Sequence, residues 1–222
     1  MASYLIEGTR AVEDAKAARL PLTIIASEFY EGESDFVVSD RLFPELCETN
    51  TPQGIIAIAP QINSKLDDFD LDRSILVLDN VRDPGNLGTI IRTAHAAGAG
   101  GVLLSLGCAE LYSPKVVRSS MSSLLYVKIC LSDEISGDIL KLKAKGFSVY
   151  STDADGENIF SEKLSRRAAF IIGNEGAGIS SELSEISDVR LSIPMPGEAN
   201  SLNAAVASAI CVYEHLRQNF YS

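Results

Sequence analysis

From residue 74 onward, apolar runs alternate with helical patterns at a regular pace. "SILVLDN" (74–80) is a β-branched run ending in a polar turn, and "PGNLGTIIRTAHAAGAGG" (84–101) opens after a Pro-Gly turn and closes on glycines. "GVLLSLG" is a second strand, "SPKVVRSSMSS" a short helix and "LLYVKIC" (124–130) a third strand. "DEISGDILKLKAKG" is an amphipathic helix with a glycine stop, and "FSVYSTD", "AAFIIGNEG" and "DVRLSIPMP" are further strands. The last two of these flank a short "SSELSEIS" helix. Strands alternating with helices predict an α/β fold, with a mostly parallel sheet covered on both faces.

The first third has its own short pattern. Apolar and Ala spacing predicts a helix over 7–19, followed by a "PLTIIAS" strand. Ser39 is placed to cap a helix through Leu46, and "GIIAIAP" closes the segment as a strand. "QINSKLDDFDLDRS" (61–74) is polar and acid-rich between two apolar runs, which predicts a linker. The expected organisation is therefore a small α/β domain over 1–60, a linker over 61–74 and a larger domain over 75–222. The chain's final helix begins within "IPMPGEANSLNAAVASAI" (193–210), with Ser201 and Asn203 expected in its first turn; Leu202, Val206, Ile210 and Tyr213 share one helical face and small residues cover much of the rest.

Composition narrows the class. The 222 residues are 46% hydrophobic and 22% charged, as in an ordinary folded domain. No stretch reaches about 18 consecutive apolar residues, so no membrane span is expected, and the amino-terminal sequence lacks the pattern of a signal peptide. Cys47, Cys108, Cys130 and Cys211 are widely spaced with no C-x-x-C pair, which predicts buried free thiols in a reducing cytoplasm and no metal site. The net charge of −11 argues against nonspecific nucleic-acid binding. Its distribution is uneven: residues 1–70 hold 13 acids and 5 bases, the rest 17 and 14. A local basic patch thus remains open in the second part.

In parallel sheets ligands bind beyond the carboxyl ends of strands, which directs attention to "DNVRDPGNLG", "GNEGAG" with "IPMPGEANS", and "SLGCAELYSP". Gly173, Gly176 and Gly178 could cradle a phosphate, yet the spacing is not that of a P-loop and no Lys follows. Pro84 in the first turn speaks against a dinucleotide fingerprint. His95 and His215 fall inside predicted helices without a nucleophile elbow. His95 is expected to be packed or half-exposed, and His215 to complement the helix dipole.

Together, "LDNVRDPGNLGTIIRTAHAAGAGGVLLS", "FIIGNEGAGIS" and "IPMPGEANSLNAAVASAICVYEHLRQ" resemble, in order and spacing, the three signature motifs of the SpoU (TrmH) branch of the SPOUT RNA methyltransferases. The resemblance covers residues 74–219. It extends to "SPKVVRSSMSS", where the family usually has Gly in place of Ser122, and residues 4–60 look like the small RNA substrate-binding domain of many members. The resemblance implies a trefoil knot at the carboxyl end of the catalytic domain, a homodimer, and S-adenosylmethionine as methyl donor. It also implies methylation of a ribose 2′-hydroxyl in RNA, ribosomal RNA more than transfer RNA, in the cytoplasm.

Carried over by position, the cofactor residues are Gly173, Ile193, Ser201 and Leu202, with Leu104 and Ser105 at the end of the second strand. Asn80, Arg92, Glu175 and Asn203 match the family's polar active-site positions. A sulfonium methyl is already activated, so alignment with the attacking oxygen matters most. The 2′-hydroxyl is a weak acid whose proton or developing charge needs a partner. Arg92 is the candidate, as base or, more easily for an always-protonated guanidinium, as a ribose, phosphate or oxyanion clamp. A catalytically inactive RNA-binding or ribosome-assembly protein of the same fold is the second reading. A nucleotide-dependent oxidoreductase is the third, weakened by the absent glycine fingerprint.

Overall fold

The structure is a computed structural model that describes residues 2–174 and 176–221. Its second half is built on a six-stranded sheet in which every pair is parallel. In chain order its strands are β5 (Ile75–Leu78), β6 (Gly101–Ser105), β7 (Ile129–Ser132), β8 (Ser148–Asn158), β9 (Ala168–Ile172) and β10 (Val189–Ser192), arranged β10-β8-β9-β5-β6-β7. The central strands β5, β6 and β9 are buried along their whole lengths. Both faces must therefore be apolar, and the continuous runs "ILVL", "GVLLS" and "AAFII" meet that requirement.

Alternate residues of β5 serve opposite faces. Leu76 and Leu78 pack with Leu87, Ile90 and Ile91 of α2 (Pro84–Ala97) and with Cys211 and Val212 of α6 (Ala204–Phe220). Ile75 and Val77 pack with Ile139 and Leu142 of α4 (Ile135–Ala144) and with Leu183 of α5 (Ser181–Glu185). Asp83 caps α2 by accepting the Asn86 N–H at 2.8 Å, Pro84 sits in its first turn, and Gly98 ends it with φ 64°.

Residues 3–60 form a separate four-stranded sheet ordered β1-β4-β2-β3 from β1 (Ser3–Glu7), β2 (Thr23–Ser27), β3 (Phe36–Val38) and β4 (Ile55–Pro60). α1 (Thr9–Ala17) covers it. β1 and β3, both edge strands, have no counterpart in the sequence reading. The expected helix from Ser39 to Leu46 is reduced to a 3₁₀ turn over Phe43–Leu46, with Pro44 in its first turn. The segment 61–74 does not hang free. Leu66 and Phe69 are buried against the second sheet, and the Phe69 ring lies so close to Gly101 that a Cβ there would come within 2.5 Å of it. Tyr112 ties the sheets together, since its ring meets Tyr4 at 4.7 Å and its hydroxyl accepts the Ile62 N–H at 2.8 Å.

The strand expected over 124–130 is shifted. A left-handed turn at Met121 and Ser122 leads into a 3₁₀ turn over Ser123–Leu125, and pairing begins only at Ile129. This turn follows α3 (Pro114–Ser119). Ser122, with φ 65°, stands where the resemblance expects Gly, and an L side chain is strained there. Ser122→Gly is accordingly expected to stabilise the protein by about 0.5–1 kcal/mol, read as a higher urea midpoint. A lower midpoint would show that the hydroxyl outweighs the strain.

His215 corrects a second expectation. It does not serve the helix dipole, because it is 1% exposed, and its Nε2 lies 3.1 and 3.0 Å from the carbonyl oxygens of Ser165 and Arg166. Both partners only accept, so Nε2 carries the proton of a neutral ring. Burial holds this imidazole below its ordinary value, outweighing the two carbonyls that pull the other way. As pH falls, the unfolded chain takes up a proton first. The contribution is therefore full above the unfolded His value and lost below it. Melting temperature should fall between about pH 6.5 and 5, and this slope should flatten in His215→Asn. An unchanged slope would assign the loss to other groups.

Candidate active site

Three loops meet at the carboxyl ends of β5, β9 and β10. In the first, the Asp79 carboxylate is 3% exposed and accepts two hydrogen bonds. One comes from Asn80 Nδ2 at 2.6 Å and the other from the Ser180 N–H at 2.8 Å, across to the second loop. Asn80 turns the chain with φ 56°, a conformation that Asn tolerates better than most residues. Its N–H donates to Ser105 Oγ at 2.9 Å and its carbonyl accepts Asn174 Nδ2 at 3.1 Å. Gly107 leaves the room this requires, since a Cβ there would lie 1.7 Å from Asn80 Oδ1.

Asn174 organises the second loop. Its Oδ1 accepts the N–H groups of Gly176 and Ala177 at 2.9 and 3.0 Å, and its backbone pairs in both directions with Gly178. Gly173 faces the backbone of Gly178 and Ile179 so closely that a Cβ would come within 2.4–2.6 Å of their atoms. Asp79 and Asn174 are thus the connectors between the first two loops, and neither was singled out from sequence. The pattern "DN…GNEG" held the clue, but an internal hydrogen-bond partner has no spacing rule of its own.

The third loop ends at Asn203, which is the N-cap of α6 and not a member of its first turn. Its Oδ1 accepts from Ala205 and Val206 at 2.9 and 3.3 Å, and its Nδ2 donates to Asn86 Oδ1 of α2 at 2.8 Å. Both ends of this amide are engaged by the protein, so Asn203 positions the loop before the helix. Asn203→Ala should lower stability by about 0.5–2 kcal/mol. Asn203→Asp, which keeps the capping oxygen, should retain most of it in thermal melts. Equal losses from both variants would locate the effect in the bond to Asn86 instead.

Between the second and third loops and the end of β8 lies a cleft of about 440 Å³. Gly173, Ile193, Ser201 and Leu202 line it. Ile172, Leu191 and Met195 add apolar wall, and Ser151 adds a buried hydroxyl without a hydrogen-bond partner among the described residues. Leu104 and Ser105 lie elsewhere: Leu104 is fully buried in the sheet, and the Ser105 hydroxyl is bound to the Asn80 N–H. Arg92 projects from α2 into solvent and has no hydrogen bond or ion pair among the described residues. Glu175 lies outside the described residues. His95 is exposed, stacked on Tyr126 at 5.0 Å with Nδ1 3.2 Å from Ser123 Oγ. Among the described residues no group of three His, Cys, Asp or Glu side chains could hold a metal, and no helix is long and apolar enough to cross a membrane. Cys211 is wholly buried, and burial pushes its thiol up to about 12, so it stays a protonated core residue.

An all-parallel sheet with a glycine-lined cleft at its strand ends defines the class of α/β proteins that bind a nucleotide-like ligand there. The chain belongs to the SpoU rRNA Methylase family, whose model matches residues 73–213. It is 38% identical to the 23S rRNA (guanosine(2553)-2'-O)-methyltransferase RlmP of Bacillus subtilis (strain 168), over 97% of this chain and 88% of that one. It is 33% identical to the 23S rRNA (uridine(2479)-2'-O)-methyltransferase of Streptomyces viridochromogenes, over 97% and 76%. The crystal structure of the SpoU methyltransferase AviRb from S. viridochromogenes in complex with AdoMet superposes with a TM-score of 0.88 at 29% identity, covering 97% of this chain and 90% of that one.

Proposed function

We infer that the chain is an S-adenosylmethionine-dependent RNA methyltransferase acting on a ribose 2′-hydroxyl, with ribosomal RNA as its substrate. The observation that carries this reading is the cleft of about 440 Å³, which joins an apolar wall to an unsatisfied buried hydroxyl at Ser151. That combination suits a ligand with a flat base and polar groups. The two 23S rRNA methyltransferase relatives favour ribosomal over transfer RNA.

S-adenosylmethionine, when bound, supplies a methyl group already activated on a sulfonium. Gly173, Ile193, Ser201 and Leu202 hold the donor, and the Asn86–Asn203 bond fixes the loop carrying Ser201 and Leu202 against α2. Arg92 offers five donors with no partner among the described residues, and it clamps the ribose or its phosphate and stabilises charge developing on the 2′-oxygen. A guanidinium stays protonated, so Arg92 does not serve as the base. Asn80 presents Oδ1 at the first loop while Asp79 fixes its Nδ2. Glu175 keeps the part its motif position implies, orienting Arg92 or the ribose.

Arg82, Arg92 and Arg118 are exposed without ion pairs among the described residues and supply an RNA-facing basic surface on an acidic chain. Residues 1–60 act as the RNA substrate-binding domain from the side of α1, where Arg10 and Arg19 are exposed. The carboxyl end forms the trefoil knot that membership of this family implies. Homodimerisation is supported by Val206 and Tyr213, 47% and 48% exposed on the outer side of α6. An RNA substrate and free cysteines fit a cytoplasmic setting.

The deciding experiment incubates the protein with labelled S-adenosylmethionine and total RNA, then maps the modified riboses. One or a few 2′-O-methyl sites in ribosomal RNA are expected. Cofactor binding without transfer to any RNA would favour the inactive binding protein, and sites confined to transfer RNA would correct the substrate.

A further inference from the structure

β3 is a three-residue edge strand that, among the described residues, pairs only with β2, in parallel register from Ile25–Phe36 to Ser27–Val38. Consecutive strand residues point to opposite faces, yet Phe36 and Val37 are 60% and 64% exposed. Neither face of this strand is covered, and its outer backbone edge is open. Phe29 and Leu42, in the segments that follow β2 and β3, are 60% and 50% exposed. These segments are tied together, with the Phe29 N–H donating to Asp40 and the Asp40 N–H to Glu28. An uncovered apolar edge of this kind is a template for pairing with another chain.

Its electrostatic setting selects the partner. Between residues 28 and 48 the chain carries seven acids and a single base, Arg41. All seven acids are exposed and none forms an ion pair among the described residues. RNA, a polyanion, is repelled here. A second copy would bring the same acidic edge against itself. Only a positively charged chain meets both the open strand edge and the unpaired carboxylates.

We propose that the β3 edge of the amino-terminal sheet is a docking site for an extended, Lys/Arg-rich polypeptide with interleaved apolar residues, added as a further strand beside Phe36–Val38. The apolar side chains of that segment cover Phe36 and Val37, and its basic side chains meet Glu31, Glu33 and Asp40. This edge is separate from the cleft, which lies at the strand ends of the other sheet. It gives an RNA-modifying protein a contact with the basic proteins that accompany RNA.

The test uses the full chain and a fluorescein-labelled peptide of alternating Lys and Val, with a matched peptide carrying Glu in place of Lys. The Lys peptide should bind in a salt-sensitive manner and the Glu peptide should not. Phe36→Ser, which leaves every charge in place, should weaken binding about tenfold or more, and Glu31→Lys with Glu33→Lys should weaken it comparably. Equal binding of both peptides, or wild-type binding by Phe36→Ser, overturns the proposal. Loss of RNA methylation in Phe36→Ser would assign the edge to RNA, and loss of self-association in that variant would assign it to a second copy.

Discussion

Gly173→Ala is expected to weaken S-adenosylmethionine binding about 100-fold while leaving the protein folded. The added Cβ would meet Gly178 C and O at 2.4 Å and Ile179 N at 2.6 Å. These are backbone atoms, which cannot swing aside as a side chain tip can. Relief would require opening the Asn174–Gly178 pair, whose two hydrogen bonds measure 3.0 and 2.9 Å. Opening it also displaces the Asn174 amide from the Asn80 carbonyl, so the first two loops separate together. The β9 residues Ala168–Ile172 stay buried in the middle of the sheet, so the damage is confined to its end. Overpacking of this kind costs about 1–3 kcal/mol, and the upper part of that range corresponds to a loss of about 100-fold in affinity. Calorimetry with the cofactor checks this, alongside circular dichroism for the fold. Affinity within a few-fold of the unsubstituted protein would mean that the second loop does not shape the cofactor site.

Arg92→Ala should have the opposite signature, with intact fold and cofactor binding and a collapsed rate. Arg92 is exposed on α2, touches no partner among the described residues, and does not line the cleft. Surface substitutions of this type change stability by no more than about 0.5 kcal/mol. Removing a donor that stabilises charge developing on oxygen costs about 10²–10³ in rate. Single-turnover methyl transfer to RNA should fall by that factor while the cofactor Kd holds. Arg92→Lys should recover little, because an ammonium cannot reproduce a planar fork of donors. A rate within a few-fold in Arg92→Ala would place the residue in nonspecific RNA contact alone.

Of the residues the family resemblance assigns to the cofactor, those within the long glycine- and proline-rich motifs come together in the structure. Gly173, Ile193, Ser201 and Leu202 all line one cleft, although they come from loops after two different strands. Leu104 and Ser105 were drawn into the same set because they end a strand of the same sheet. β6 lies beyond β5 from the cleft-forming strands, so Leu104 remains core and the Ser105 hydroxyl serves Asn80. The α6 helix divides the face its sequence pattern defines, with Ile210 packed against the core. The large residues Val206 and Tyr213 are half-exposed, whereas Ala204, Ala205, Ser208 and Cys211 are buried. Periodicity marks which residues share a face, but close packing against α2 decides which face is inward, and small side chains allow that approach.

What the sequence determined by itself was the alternation of strands and helices, the parallel sheet, the three loops and the family. These follow from local periodicity and from residue types at short spacing, information carried within a few dozen neighbouring residues. Only the tertiary structure decided which loops converge, that Asp79 and Asn174 join them, that His215 is a buried neutral ring, and that an acidic apolar edge at β3 is left uncovered. Each of those depends on contacts between residues far apart in the chain, where no periodicity reaches and only the folded backbone brings partners within hydrogen-bonding distance.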